Sequence, residues 1–187
     1  MLTAFVGRFG EAALAGYGIG SRIEFLIIPL VFGLGSSMTS LVGMGIGAGD
    51  IHRAERVGWI GGLCAGVIAG VVGIVLAIFP DGWISLFTQD SLVHTSAKSF
   101  IQIAGPCFFF QGLGLSLYFA SQGANAVKWP IIATIIRFVL AASAGSIAVY
   151  GYAAGLESVF YSIAFAMLCF GTITVTSLKL GAWRKAK

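Results

Sequence analysis

Residues 57–80, VGWIGGLCAGVIAGVVGIVLAIFP, run without a single charged side chain. At about 1.5 Å of helical rise per residue, this stretch is long enough to cross the roughly 30 Å hydrocarbon core of a bilayer. Gly62, Gly66, Gly70 and Gly73 recur in it at helical spacing and predict a surface that packs closely against another helix. The stretch therefore predicts a membrane-spanning helix.

Similar apolar stretches lie on both sides of it. The chain is 58% hydrophobic and only 10% charged, whereas a soluble domain carries about 25% charged residues. A soluble fold of this length could not cover so much apolar surface, so the predicted surroundings are a lipid bilayer. The sequence predicts an all-α polytopic membrane helix bundle, with five full transmembrane helices plus the end of a sixth. The predicted spans cover about residues 25–49, 57–80, 99–123, 130–151 and 158–179.

The N-terminal segment differs from these spans. Residues 1–16 are interpreted as the remnant of a helix whose beginning is missing, because MLTAFVGRFG is too short to span and is interrupted by Arg8. Residues 11–24, EAALAGYGIGSRIE, mix charges with small residues and are predicted to lead into the first full helix. The later links are short and leave no room for a soluble domain; they lie at 50–56, 81–98, 124–130 and 151–157.

The lysines and arginines predict the orientation of the bundle. With five alternating spans, the 49–56 loop, the 124–130 loop and the C-terminal tail share one side, which holds most of the basic residues. The positive-inside rule makes this side cytoplasmic, so we expect a multi-pass protein of the cell membrane with a cytoplasmic C-terminus. Four of the eleven basic residues lie in the last nine positions, so the net charge of +4 reflects a tail and not a nucleic-acid-binding face. The four tryptophans fall near predicted helix ends, as interfacial tryptophans do; they are Trp59, Trp83, Trp129 and Trp183.

The glycine-rich segment LVGMGIGAGDIHRAERVGW, residues 41–59, raises the alternative of a phosphate-binding loop. Such a loop requires GxxxxGK[ST], and a dinucleotide site requires GxGxxG between a strand and a helix, so the alternating glycines fit neither. The segment is interpreted as a closely packing helix end followed by a cytoplasmic turn. The two histidines lie in predicted loops and the three cysteines are isolated. The sequence therefore predicts no enzyme, no metal site and no organic cofactor.

The same segment resembles a cytoplasmic loop of the multidrug and toxic compound extrusion (MATE) family, written approximately as LVGQNxGAGxxxRA. Its matching positions include Gly43, Gly47, Gly49 and Arg53, whereas Met44 and Gly45 replace the glutamine and asparagine of the pattern. Other segments are similar to the family in the same register; they are residues 15–24 with Pro29-Leu30, residues 118–125, and Trp129-Pro130 with Arg137.

This resemblance implies both an architecture and a function. Family members have twelve helices in two lobes, and residues 1–187 are similar to the C-terminal lobe from the end of helix seven onward. The implied function is secondary active efflux of organic, cationic drugs or metabolites by proton- or sodium-coupled antiport, with the missing N-terminal lobe as partner. The alternative is a truncated or non-transporting membrane component that needs a separate N-terminal lobe. The acid that binds the coupling ion is expected in missing sequence or on a partner chain, because the counterpart of helix ten has no Asp or Glu.

Polar residues of the third span are candidates for lining a substrate cavity. Gln111, Tyr118 and Gln122 fall on one helical face. A polar stripe in a membrane must face protein or water, so this face either lines a cavity or forms hydrogen bonds between helices. Phe110 and the adjacent Phe108 and Phe109 either offer an aromatic face to an organic cation or pack in the core.

Two prolines and two charges complete the candidate set. Pro29 and Pro106 lie inside predicted spans, and each removes a backbone hydrogen bond, which gives a static kink or a hinge. Arg137 lies inside a span and either serves function in the interior or snorkels to the surface and pairs structurally. We favour the second interpretation because no acid is predicted at a comparable depth. Glu24 is expected to anchor the chain at the membrane interface; the alternatives are a contact with Arg22 or with a coupling ion.

Overall fold

The structure, a computed structural model, describes residues 2–146 and 155–184, and most of them are helical. The helices are α1 (Leu2–Gly7), α2 (Glu11–Gly47), α3 (Ile51–Ile78), α4 (Pro80–Ile84), α5 (Ser91–Ala104), α6 (Phe108–Gly123), α7 (Lys128–Ser146) and α8 (Leu156–Lys179). A short 3₁₀ turn, Gly105–Cys107, joins α5 to α6. Among the described residues, five helical stretches are long and apolar enough to cross a membrane, with Ser91–Gly123 counted as one. The predicted all-α membrane bundle is confirmed.

The first long helix begins earlier than the sequence predicts. α2 starts at Glu11 and runs without interruption to Gly47, so the interpretation of residues 11–24 as a connection is wrong. The break after the N-terminal segment lies at Gly10, where φ is 106°, and not near residue 16. Tertiary packing explains the difference, because Gly16 and Gly20 lie directly against Ser96 and Phe100 of α5. That contact stabilises a helical segment whose small and charged residues alone gave no clear apolar stripe.

Two of the predicted links are also shorter in the structure. The turn between α2 and α3 is formed by residues 48–50, because Asp50 caps α3 by accepting a hydrogen bond from Arg53 N at 2.9 Å. In the predicted 81–98 link, α4 is followed by α5 from Ser91, and Asp90 caps α5 through hydrogen bonds from Leu92 N and Val93 N. Asp50 and Asp90, a residue type that also suits loops, here serve as helix caps. The end of the fourth predicted span, residues 147–151, and residues 151–154 of the last link lie outside the described residues.

The predicted glycine surface of α3 is confirmed as a helix-packing surface. α3 packs against α6, where Gly62 lies against Leu117, and Gly66 and Gly70 lie against Phe109. Gly73 meets the backbone of the 3₁₀ turn between α5 and α6. The absence of side chains at these positions lets the two helices approach closely, which is how membrane helices gain dispersion contacts.

The segment after α8 folds back onto the ends of α3 and α6. Trp183 is only 2% exposed, lies against Gly58 of α3, and donates a hydrogen bond from Nε1 to Ser121 Oγ at 3.2 Å. Next to it, Arg184 forms two hydrogen bonds with the Glu55 carboxylate, at 2.7 and 2.8 Å. The packing of three helix ends therefore buries the indole of Trp183, and its interfacial depth stays a prediction.

Candidate functional site

The polar face of α6 lies between two packed sides of that helix. On one side Phe119 packs against Gly35 of α2, and on the other Gly114 packs against Phe170 of α8. Gln111 is 6% exposed, and among the described residues its Oε1 atom has no hydrogen-bond partner. A buried amide oxygen without a donor costs about 1–3 kcal/mol, so its presence in the interior needs a functional or solvent partner.

The other predicted cavity residues are less buried than Gln111. Tyr118 is partly buried and its ring lies edge-on to Phe119, with centroids 6.0 Å apart. Gln122 is exposed near the end of α6. Phe110 is partly buried, with its ring edge-on to Phe109 and its backbone against Gly171 of α8. The stripe thus runs from the interior to one end of the bundle.

A second polar group lies between α2 and α7, and we call it the Glu24 cluster; it consists of Tyr17, Glu24 and Arg137. The charges of Glu24 and Arg137 influence each other, but no close ion pair among the described residues joins them. The Arg137 guanidinium carbon also lies 5.5 Å from the centroid of the Phe170 ring, a cation–π contact in the bundle. The early start of α2 places Glu24 within that helix, and the interpretation of Arg137 as a snorkelling or structurally paired residue stays a prediction.

Aromatic packing fixes one end of the Glu24 cluster. The Tyr17 ring lies edge-on to Phe100, with centroids 5.2 Å apart, and stacks on Phe160 at 6.3 Å. Phe100 and Phe160 are fully buried. Two residues further along α2, Ile19 O accepts a hydrogen bond from Trp83 Nε1 at 3.2 Å. The sequence analysis missed Tyr17, although its spacing of seven residues from Glu24 predicts a shared helical face once the segment is recognised as a helix.

The predicted hinges have different local structures. Pro106 lies in the 3₁₀ turn that separates α5 from α6, as expected where a proline removes a backbone donor. The residue before it, Gly105, approaches the backbone of Gly73 too closely for any side chain. Pro29 is exposed and lies within α2, which continues through it.

The glycines of the loop motif serve the turn from α2 to α3. Gly49 has φ of 76°, a left-handed conformation that favours glycine, and Asp50 N donates to Gly45 O at 2.9 Å. Gly43 lies against the carbonyl of Gly123, whereas a side chain at Gly47 would meet open space. Arg53 is exposed on the first turn of α3. This geometry reverses the chain tightly at one end of the bundle.

The polar face of α6 and the Glu24 cluster together supply one carboxylic acid (Glu24), one arginine (Arg137) and several neutral hydrogen-bonding side chains. Ionisable residues inside membrane bundles are costly and typically mark substrate or ion pathways. Among residues 2–146 and 155–184, no three His, Cys, Asp or Glu side chains come together in a way that could hold a metal ion.

Comparison with solved structures gives the fold. The chain superimposes on the Vibrio cholerae MATE transporter VcmN in its bent form with a TM-score of 0.84, at 19% identity, covering 97% of this chain and 42% of that one. A MOP superfamily transporter from Pyrococcus furiosus gives a TM-score of 0.77 at 18% identity, covering 95% of this chain and 39% of that one. At these identities the likeness concerns the fold alone.

Sequence comparison gives the family. The chain is 32% identical over 130 residues to the probable multidrug resistance protein NorM of Thermotoga maritima, covering 68% of this chain and 27% of that protein. It is 27% identical over 137 residues to an FAD transporter of Shewanella oneidensis, covering 73% of this chain and 30% of that protein. The chain thus spans less than a third of the length of these relatives. The MatE family model matches residues 1–147, so this multi-pass membrane protein belongs to the MatE family.

Proposed function

We propose that this chain is one lobe of a secondary active transporter that exports organic cations in exchange for protons or sodium ions. The observation that carries the proposal is the buried Oε1 atom of Gln111, which has no hydrogen-bond partner among the described residues and lies on the polar face of a membrane helix. Family membership and relatives named as multidrug resistance proteins support export of drugs. We assign the chain no enzymatic reaction, in keeping with relatives that are named for transport or resistance.

The substrate path in this proposal follows the polar face of α6. The buried, unpartnered Oε1 of Gln111 would accept a hydrogen bond from a substrate or from water. Tyr118 and Phe110 would offer aromatic faces to a cation, and Gln122 would lie at the mouth. Pro106, in the break between α5 and α6, would act as the hinge of this wall.

A second lobe would pack on the exposed face of α2. That face carries Ser36, Ser37 and Ser40, whose hydroxyls bond to carbonyls of their own helix. Small and hydroxylated residues of this kind favour close contact between membrane helices. The basic residues around Arg53 and Lys128 support an orientation with this end and the C-terminus in the cytoplasm, in the cell membrane.

The alternative is a non-transporting component that needs a separately encoded N-terminal lobe. One experiment separates the two: the chain is expressed in bacteria that lack their own exporters, alone and together with an N-terminal lobe. Accumulation of ethidium and of FAD is then measured, because one relative is named as an FAD transporter. Reduced ethidium accumulation with the chain alone supports an autonomous transporter, and reduction only on co-expression supports a split one.

A pair of variants tests the proposed path. Gln111→Leu should restore ethidium accumulation, whereas Gly82→Ala in α4, where an added Cβ meets open space, should behave as the unmodified chain. Export of FAD without ethidium would overturn the cationic substrate class. Absence of any export, alone and with the second lobe, would overturn the transport function.

A further inference from the structure

We propose that a notch between α5 and α8 binds an ammonium group of the kind that an ethanolamine lipid headgroup carries. The notch is lined by Ser99, Gln102 and Ile103 of α5 and by Glu157 and Tyr161 of α8. It shares no lining residue with the proposed substrate path along α6, and the inference does not depend on the proposed transport function.

Four polar side chains meet in this notch; they are Ser99, Gln102, Glu157 and Tyr161. Among the described residues, none of the four side chains forms a hydrogen bond or an ion pair. Polar groups that face lipid without a partner in the protein are unfavourable, so they require water or a ligand. The notch therefore offers a set of unused hydrogen-bonding groups on the lipid-facing side of the bundle.

The position of the notch along the helices matches the depth of lipid headgroups. Gln102 and Glu157 lie roughly 20 residues before the helix ends at Gly123 and Lys179, which is about 30 Å at the helical rise of 1.5 Å per residue. This distance is close to the thickness of the apolar core. If those two ends lie at one surface of the bilayer, the notch lies at the other. Tyr161 fits this placement, because tyrosine is enriched at the level of the headgroups.

The charge of the notch favours a cation. Glu157 lies in the first turn of α8, where the helix N-terminus favours a negative charge, and it belongs to none of the ion pairs among the described residues. The lysine of α5, Lys98, lies 3.5 Å from Asp81 instead, and Arg8, after α1, does not line the notch. Residues 147–154, which precede α8, contain no charged residue. The carboxylate of Glu157 is thus left for a ligand.

These side chains suit an ammonium group better than a metal ion. The notch holds one carboxylate, and the described residues contain no group of three His, Cys, Asp or Glu side chains that could bind a metal. An ammonium group donates three hydrogen bonds, which the Glu157 carboxylate and the Gln102 carbonyl can accept. The ring of Tyr161, which is 60% exposed, offers a surface for cation–π contact. The volume of about 370 Å³ is also far larger than the roughly 30 Å³ that one water molecule occupies.

The surroundings of the notch favour a lipid as the carrier of the ammonium group. One helical turn from Tyr161 towards the bilayer interior, Phe165 lies on the same face of α8 and is 55% exposed. Pro106 is exposed on the α5 side. This apolar surface would contact an acyl chain, while the Ser99 hydroxyl and the Gln102 amide would donate hydrogen bonds to headgroup phosphate oxygens. An ethanolamine lipid supplies the cation, the phosphate and the chain in this order.

The test measures lipid binding to the purified full chain in detergent by native mass spectrometry. Phosphatidylethanolamine and phosphatidylglycerol are added separately at equal concentrations, and we expect the first to bind more tightly. Glu157→Gln should weaken its apparent affinity roughly three- to tenfold, because a charge-assisted contact is lost. Glu11→Gln is the matched control, since it removes a carboxylate from the first turn of α2, and it should change nothing. Equal binding of the two lipids, or equal effects of the two variants, overturns the proposal.

Two further measurements test the aromatic contact and the source of the ammonium group. Tyr161→Leu, at an exposed position, should weaken phosphatidylethanolamine binding and leave phosphatidylglycerol binding unchanged. Equal weakening of both lipids would overturn the role of Tyr161 in recognising the cation. Free ethanolamine at the concentration of the lipid should not displace phosphatidylethanolamine. Displacement would retain the ammonium site but overturn the lipid as its ligand, in favour of a small soluble amine.

Discussion

Removal of the Trp183 indole should destabilise the chain more than any change at its charged neighbour. The side chain is 2% exposed, and its ring edge lies against Gly58. Trp→Ala at a buried position costs about 3–5 kcal/mol through lost burial and the cavity left behind. Trp183→Ala also deprives Ser121 Oγ of its hydrogen-bond donor, which contributes about 0.5–1.5 kcal/mol. We expect a total loss near the upper part of the first range.

Arg184→Ala provides the matched comparison. Arg184 forms two short hydrogen bonds with Glu55, but its side chain is 66% exposed. Exposed ion pairs are worth about 0.2–1 kcal/mol, since water and salt screen them. Trp183→Phe should fall between these two variants, because the ring is largely retained while the hydrogen bond is lost.

The assay is the free energy of unfolding of the purified chain in mixed micelles, measured by circular dichroism as the fraction of denaturing detergent is increased. The reasoning requires Trp183→Ala to lose several times the free energy that Arg184→Ala loses. If the two losses were equal, or if Trp183→Ala were neutral, the burial argument would be refuted. Trp183 would then act as the interfacial anchor that its position in the sequence suggested.

Three further variants test the interior of the bundle. In the same unfolding assay, Gly112→Ala should lower the free energy of unfolding by about 1–3 kcal/mol, because an added Cβ would lie 2.6 Å from an alanine methyl of α3. Gly33→Ala, where an added Cβ meets open space, should leave that free energy unchanged or raise it by up to about 1 kcal/mol through helix propensity. Gln111→Leu should leave the free energy of unfolding unchanged or raise it by about 1–3 kcal/mol, since it removes a buried unpartnered oxygen, and a clear loss of stability would show that the oxygen has a partner. Pro106→Ala restores a backbone donor in the 3₁₀ turn and should lower ethidium export with little change in helix content. Pro29→Ala, in an uninterrupted helix, should change ethidium export less. If Pro29→Ala had the larger effect, the hinge would be assigned to α2.

The local parts of the candidate site were predictable from the sequence. Gln111, Tyr118 and Gln122 share a helical face by spacing alone, and Pro106 interrupts a helix because proline lacks a backbone donor. The turn at Gly49 follows from glycine's access to positive φ. Each of these features depends on residues within a few positions of one another.

The Glu24 cluster was not predictable in this way. Arg137 lies more than one hundred residues from Tyr17 and Glu24 along the chain, and the segment containing Tyr17 and Glu24 carries small and charged residues that resemble a connection. That segment is helical because Gly16 and Gly20 pack against α5. The burial of Trp183 was not predicted for the same reason, since it depends on Gly58 and Ser121 in other helices.

The sequence by itself determined that this chain lies in a membrane as a bundle of helices, because its long uncharged stretches can satisfy their backbone groups in lipid only as helices. Only the tertiary structure decided which charges lie inside and which side chains face them. The physical reason is that the depth of a charge, and the cost of keeping it there, depend on the helices packed around it, and the pattern of residues along one segment carries no record of those neighbours.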